Sequence, residues 1–223
     1  MSITVREALK RPWQKDAGYL RMFLGGLCLF VPILCFVPMG YISEYLNKMM
    51  NNKDYLGNIF QNGKKCFIIG VKQFIGSILL AIPFVIINYI LTMLLQNYIV
   101  IHILAQITLN IIWGYITFVM CISFACDFQI LSMVDFERAQ KIIKEAPKKL
   151  ILTYLKVILA CIVYAILLII ASIIAPLIPI IGIIIYIAIC PTLLFAAITA
   201  TSQITGKFAS GSTLIQSIKQ DLG

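Results

Sequence analysis

The sequence predicts an all-α integral membrane helix bundle, with four full spans and a broken apolar segment near its start. Hydrophobic residues make up 61% of the 223 residues and charged residues 12%. Soluble domains are usually about 45–50% apolar and about 25% charged, so a soluble enzyme and a nucleic-acid-binding domain are both excluded. The runs 67–95 and 151–189 exceed the roughly 20 apolar residues that a helix needs to cross a bilayer.

The order of the spans follows from the 18 basic residues, which fall into four clusters. These lie in 1–21, 47–72 and 132–156 and in the C-terminal tail, whereas 96–102 and 172–182 contain no Lys or Arg. Basic residues of membrane proteins gather on the cytoplasmic side, so we expect cytoplasmic termini and a cell inner (plasma) membrane location. Within a single domain, 1–223, the predicted spans are 66–96, 102–131, 150–173 and 180–205.

The apolar segment 22–46 is flanked by basic residues on both sides, which predicts that it starts and ends in the cytoplasm. Two crossings need about 40 residues, more than this segment has. Pro32, Pro38 and Gly40 interrupt it, and such residues break helices. We therefore expect a re-entrant or interfacial helix–break–helix. An ordinary first span, with five spans in all, is the alternative. A second set of predicted helix breaks consists of Pro176, Pro179 and Gly182.

The amphipathic pattern of residues 135–145 predicts a short surface helix between two spans. Phe136, Ala139 and Ile143 share one face of it, while charged side chains cover the others. Pro147 ends the helix, because a proline disfavours helical backbone at the residue before it. A basic amphipathic helix in this place is expected to lie in the headgroup plane, with anionic lipid headgroups as its partners.

The polar residues inside the spans are few, and they form a stripe on each helix of the predicted hairpin 66–96 and 102–131. Antiparallel pairing places Asn88 opposite Asn110, Thr92 opposite Gln106 and Gln96 opposite His102. Two interpretations stay open: hydrogen bonds that hold the hairpin together, or a hydrated path for a substrate. The same pairing puts Lys72 near the depth of Asp127, so these two are a candidate ion pair, unless Lys72 extends to the interface.

No motif of a catalytic, cofactor or metal site occurs, and the seven cysteines contain no CxxC pair. The sequence therefore predicts a non-enzymatic protein without a cofactor, which acts through lipid or protein contacts as an accessory, scaffold or immunity-type component. The alternative is a small oligomeric transporter or channel-like protein. Expected partners are membrane lipids and either further copies of the chain or another membrane protein, but not nucleic acid.

Several short motifs resemble the prokaryotic membrane family catalogued as domain of unknown function 4013. They include Pro12-Trp13, Gly25-Gly26, the 31–33 stretch Val-Pro-Ile and Gly40-Tyr41. Further motifs are the polar stretch from Leu56 to Lys64, the 179–182 stretch Pro-Ile-Ile-Gly and the 206–208 stretch Gly-Lys-Phe. The resemblance covers nearly the whole chain. It implies a bacterial or archaeal inner-membrane protein and brings no activity, cofactor or catalytic residues with it.

Overall fold

The structure, a computed structural model, describes residues 3–14, 18–53, 62–174 and 181–213, together with 215 and 217. All regular secondary structure in these residues is helical. The α-helices are α1 Val5–Lys10, α2 Tyr19–Phe30, α3 Phe36–Met50, α4 Gly63–Leu95, α5 Ile99–Asp127, α6 Phe136–Glu145, α7 Pro147–Ile174 and α8 Ile181–Ser210. Two 3₁₀ turns, Arg11–Trp13 and Ile130–Met133, complete the described elements.

Four helices, α4, α5, α7 and α8, are long and apolar enough to cross a membrane. Each coincides with one predicted span to within a few residues. The protein is thus an all-α multi-pass membrane protein in its architecture. A short turn joins α4 to α5, so these two long helices run in opposite directions, and Gln106 of α5 bonds back to Asn88 and Thr92 of α4.

The segment 22–46 forms two helices, α2 and α3, that are separated by a turn at 31–35. Pro32 lies in this turn, as the sequence predicts. The prediction of a break at Pro38 and Gly40 is wrong, because both residues lie inside α3. Pro38 occupies the first turn of the helix, where its missing N–H removes no intrahelical hydrogen bond.

The later set of predicted breaks is described only in part. Pro176 and Pro179 lie outside the described residues. Gly182 is the second residue of α8, within the helix, so it does not interrupt the helix.

Helix α3 packs against α4 with unusually close backbones. A β-carbon at Gly40 would overlap the carbonyl of Cys66, and one at Gly70 would overlap the carbonyl of Phe36. These two contacts run in opposite chain directions, so α3 lies antiparallel to the first turns of α4. Gly40 therefore serves as a packing position and leaves the helix intact.

The core surrounds α3 and α8, and α4 and α5 contribute to it at one end only. The buried residues of α5 all fall between Val119 and Cys126, close to its C-terminus. There the amide of Asn47 donates to the carbonyl of Ala125 over 2.6 Å, and Gly206 contacts Met49. Leu150 and Ala209 belong to the same buried cluster. We call this the basic end, because it is where the helix ends carry Lys64, Lys65, Lys148, Lys149 and Lys207.

The opposite, hairpin end consists of residues 81–115 of α4, α5 and the turn between them. No residue of this segment is buried within the chain, and its exposed side chains are largely apolar. Helix α4 has 33 residues and is therefore about 50 Å long at 1.5 Å per residue. Its exposed apolar part is thus well separated from the packed basic end.

Helix α6 begins one residue later than predicted, and Asp135 caps its N-terminus by accepting from the backbone N–H of Arg138. Its buried residues are Ala139 and Ile142, while Phe136 is 52% exposed. Ala139 and Ile143 of the predicted apolar face pack against the core, whereas Phe136 lies at the edge of a groove beside Ile116 and stays half exposed.

Candidate functional site

A cleft of about 620 Å³ lies where α3, α4, α5, α7 and α8 meet near the basic end. Most of its wall is apolar, and every one of the five helices contributes at least one polar side chain to it. Its lining includes Ile42, Ser43, Leu46, Gln73, Gly114, Thr117, Phe118, Cys121, Tyr154, Val157, Ile158, Cys161, Ile162, Ala165, Ile198, Thr201, Ser202 and Thr205. Among the described residues, no Asp, Glu, Lys, Arg or His lines this cleft.

Tyr154 of α7 connects the two walls of the cleft. Its hydroxyl donates to the carbonyl of Ile111 on α5 over 3.3 Å. Its ring packs against Tyr115 and Phe118, with centroid distances of 5.4 and 5.5 Å. Gly114 leaves the space in which the hydroxyl lies. This one side chain therefore fixes how closely α5 approaches α7.

Three hydroxyl groups of α8 form a polar row along one wall. Ser202 and Thr201 donate to the carbonyl of Ile198 over 2.8 and 2.9 Å, and Thr205 donates to the carbonyl of Thr201 over 2.8 Å. Each hydroxyl proton is thus committed to the helix backbone. The oxygen lone pairs remain as hydrogen-bond acceptors.

A second polar contact joins α3 to α4 at the edge of the cleft. The buried hydroxyl of Ser43 donates to Oε1 of Gln73 over 2.8 Å. In the part of the chain that the structure describes, Nε2 of Gln73 has no protein acceptor, so this amide remains available as a donor. The cleft thus combines one amide donor with several hydroxyl acceptors, all of them uncharged.

The predicted ion pair between Lys72 and Asp127 is wrong. The carboxylate of Asp127 instead pairs with the guanidinium of Arg138 over 2.7 Å and accepts from Ser132 over 2.6 Å. The cause is local: Phe128 adopts a left-handed conformation with φ of 56°, which ends α5 and turns the chain back. The following 3₁₀ turn and α6 then bring Arg138 onto the carboxylate.

The predicted polar stripe assembles around Gln106. Its Nε2 donates to Oδ1 of Asn88 over 2.6 Å and to the hydroxyl of Thr92 over 3.2 Å. His102 lies one turn away on the same helix, with its Nε2 at 3.2 Å from the same amide nitrogen. The pairing of Thr92 with Gln106 agrees with the prediction. Asn88 was predicted to lie opposite Asn110, and it instead bonds to Gln106, one helical turn away.

The other pairings of the stripe are not formed. Asn110 does not meet Asn88, because its amide donates to the carbonyl of Gln106 in its own helix over 2.7 Å. Gln96 is exposed after the last turn of α4, and no hydrogen bond joins it to His102 in the described structure. The stripe is therefore a small cluster around one glutamine, and none of its members lines the cleft.

Glu44 forms a further polar cluster at the basic end that sequence reasoning missed. Its carboxylate is 9% exposed and accepts from Lys65 over 3.2 Å and from the thiol of Cys66 over 3.3 Å. Burial by itself raises the pKa of Glu44. The hydrogen bonds from Lys65 and Cys66, with the charges of Lys48 and Lys65, hold the pKa below its ordinary value.

Sequence reasoning also missed the cleft itself. Tyr154, Gln73 and the hydroxyls of α8 are far apart in the chain, and each looks ordinary for a membrane helix. One signal was present: Thr201, Ser202 and Thr205 follow each other at helical spacing in a stretch without charges. A polar row on one face of a span indicates a partner inside the bundle.

A family model described as "Protein of unknown function (DUF4013)" matches residues 23–180, well over half of the chain. The chain belongs to the DUF4013 family. No curated protein and no solved structure matches it. The part that matches DUF4013 includes α3, α4, α5 and α7, which form four of the five walls of the cleft. Helix α8, which supplies the hydroxyl row, begins just after it.

Proposed function

We propose that the chain is a non-enzymatic protein of the cell inner membrane that acts through lipid contacts at its basic end, as an accessory, scaffold or immunity-type component. The observation that carries the proposal is the separation of charge along the fold. Residues 73–126 and 157–206 contain no Asp, Glu, Lys or Arg, whereas exposed lysines surround the basic end. Anionic lipids attract such cations with about 1 kcal/mol for each residue near the surface.

The length of the helices supports a specific position in the bilayer. The hydrocarbon layer is about 30 Å thick, and α4 is about 20 Å longer than this. With the apolar hairpin end in the hydrocarbon, the lysine-bearing end of α4 stands at the headgroups and beyond them. In this proposal the end that carries the lysines faces the cytoplasm, together with both termini, in agreement with the positive-inside rule.

The turn between α2 and α3 supports contact with the same leaflet. Phe30, Ile33 and Leu34 are apolar and are exposed by 61%, 69% and 46%. Phe36, just after this turn, packs against Gly70 and Phe74 in the first half of α4, so in this proposal the segment enters one leaflet and returns without crossing. The broken segment is thus an interfacial wedge, and four spans cross the bilayer.

Helix α6 adds further exposed cations at the basic end. Lys141 and Lys144 are exposed, and the exposed Phe136 on the same short helix provides an apolar anchor. A basic helix with this pattern lies in the interface plane and prefers anionic lipid. A protein partner at this end would meet the same cationic surface.

The proposal is tested by counting the lipids that the purified protein retains. The chain is reconstituted in nanodiscs with equal amounts of phosphatidylglycerol and phosphatidylcholine, and native mass spectrometry counts each bound lipid. We expect a clear excess of phosphatidylglycerol. The variant Lys144→Gln/Lys148→Gln/Lys149→Gln removes three exposed charges. Because each lysine contributes about 1 kcal/mol of attraction to anionic lipid, the preference for phosphatidylglycerol is expected to fall by roughly 100-fold.

Two controls separate electrostatic binding from damage to the fold. High salt screens exposed charges and should reduce the preference of the unmodified chain without changing its helicity. The variant Asn97→Gln, at the exposed turn of the hairpin end, should retain the preference in full. Equal retention of both lipids by the unmodified chain would refute the proposal.

The alternative function, a small oligomeric transporter or channel-like protein, predicts a hydrated path along Asn88, Gln106 and Asn110. These side chains bond within the hairpin, and the cleft is lined by other residues. The contacts in the hairpin thus support a role in holding α4 and α5 together.

A further inference from the structure

We infer that the cleft bounded by Tyr154, Gln73 and the hydroxyl row of α8 is a binding site for an uncharged amphiphile, an acylglycerol with a free hydroxyl group. This goes beyond the proposed contacts of the basic end with anionic headgroups. It concerns a different set of residues, and it depends on no ionic interaction.

The absence of charge in the cleft selects against charged ligands. No acidic or basic side chain lines it among the described residues, and no lysine or arginine would compensate a phosphate or carboxylate inside it. A charge taken into an apolar site without a partner is strongly disfavoured. The ligand group that enters is therefore neutral.

The polar groups of the cleft match one kind of neutral group. Nε2 of Gln73 can donate, and an ester carbonyl can accept from it. The hydroxyl oxygens of Thr201, Ser202 and Thr205 can accept, and a free hydroxyl can donate to them. A partial glycerol ester carries both groups within a few bonds of each other.

The dimensions and position of the cleft suit the acyl chain of such a ligand. From Tyr154 to Ala165 the wall of α7 rises by about 16 Å, roughly half of the 30 Å hydrocarbon layer. Ile162 and Cys161 are exposed along this wall, on the side where α7 faces lipid. An acyl chain can thus enter from one leaflet, with its glycerol end at the polar wall.

The ester region could be supplied by a free acylglycerol or by a membrane phospholipid, and the experiment distinguishes the two. The full chain in detergent is titrated with 1,2-dioleoylglycerol, and native mass spectrometry measures the one-to-one complex. Dioleoylphosphatidylglycerol is then added as a competitor. We expect dioleoylglycerol to bind and the phospholipid to compete poorly, because its phosphate would have to stay outside the uncharged cleft.

The variants place the binding in the cleft. Ala165→Trp and Ile162→Trp each fill it from an exposed position and should weaken the complex by about tenfold or more. Gln73→Met removes the donor at similar volume and adds no charge, although it also removes the acceptor for Ser43, and a loss of about fivefold is expected. Ile166→Trp, which adds the same bulk one residue further along α7 but outside the cleft lining, should bind normally.

Binding of dioleoylglycerol that neither filling variant changes would overturn the inference, as would no binding at all. Displacement by an equal amount of the phospholipid would overturn the preference for the neutral ligand. Because the filling variants retain every basic residue, a failure here leaves the preference for anionic lipid unchanged, and the two proposals can fail separately.

Discussion

The hydroxyl of Tyr154 occupies the space that Gly114 leaves open: a β-carbon at Gly114 would lie 2.6 Å from this oxygen. The two residues belong to α7 and α5, and their fit sets the distance between these helices at the cleft. A tyrosine reaching across at this level thus requires glycine opposite it.

We expect Gly114→Ala to destabilise the protein by about 1–2 kcal/mol, since overpacking outweighs the better helix propensity of alanine. Thermal unfolding in detergent measures the change. In the double variant with Tyr154→Phe most of this cost should vanish, because the clashing oxygen is gone. Gly63→Ala is the control, because nothing lies within 4 Å of a β-carbon there. If the double variant instead lost as much stability as the two single variants together, the proposed fit between Gly114 and Tyr154 would be contradicted.

The pair between Asp127 and Arg138 is expected to stabilise the protein far more than the exposed pair between Lys141 and Glu137 on α6. Their side chains are 4% and 18% exposed, so Arg138→Met leaves a buried carboxylate without its cation and should cost about 3 kcal/mol. Lys141→Met breaks the exposed pair with Glu137 on the same helix and should cost less than about 1 kcal/mol. Equal losses in chemical unfolding would show that the buried pair has no special role.

The cluster around Gln106 should stabilise the hairpin modestly. Gln106→Leu removes the hydrogen bonds from α5 to Asn88 and Thr92 and is expected to lower stability by about 1 kcal/mol. Asn110→Leu removes only a bond within α5 and serves as the matched control. Urea or detergent titration compares the stability of the two variants. A larger loss of stability in Asn110→Leu would show that the bonds of Gln106 are not what stabilises the hairpin.

Stability at low pH should depend on Glu44. Folding lowers the pKa of this carboxyl, so its stabilisation is complete above the ordinary value of 4.5 and is lost as the pH falls through the lower folded value. Glu44→Gln should therefore flatten the decline of stability below pH 4.5. Glu137→Gln, at a carboxylate that is 78% exposed, should leave the profile unchanged. An identical profile in unmodified chain and Glu44→Gln would rule out this linkage.

The spans were predictable because they depend on quantities that a sequence states directly. Hydrophobic length and the position of basic clusters give four long helices, and the structure has them at α4, α5, α7 and α8. The turn at Pro32 was also predictable, since proline removes a donor. Pro38 was misjudged because a proline two residues into a helix costs nothing there.

The cleft and the ion pair between Asp127 and Arg138 depend on contacts that cannot be derived from the hydrophobic periodicity of the sequence. Asp127 pairs with Arg138 because a left-handed residue at Phe128 reverses the chain, and a non-glycine residue in that conformation is not evident from a sequence. The cleft depends on the distance between α5 and α7, which the contact of Gly114 with Tyr154 sets. These two residues are 40 positions apart in the chain. Equal depth in a straight hairpin predicted the polar cluster and the pairing of Thr92 with Gln106, but it paired Asn88 with Asn110, one turn away from its observed partner.

The account depends most directly on which side of the membrane the end of α3 reaches. A cysteine is placed at Lys53, at Lys144 or at Asn97 in a chain whose native cysteines are replaced, and intact cells are treated with a membrane-impermeant maleimide. We expect labelling from outside at Asn97 only, with Lys53 and Lys144 reacting after the membrane is opened. Labelling of Lys53 together with Asn97 in intact cells would show that 22–46 crosses the bilayer and would contradict the account.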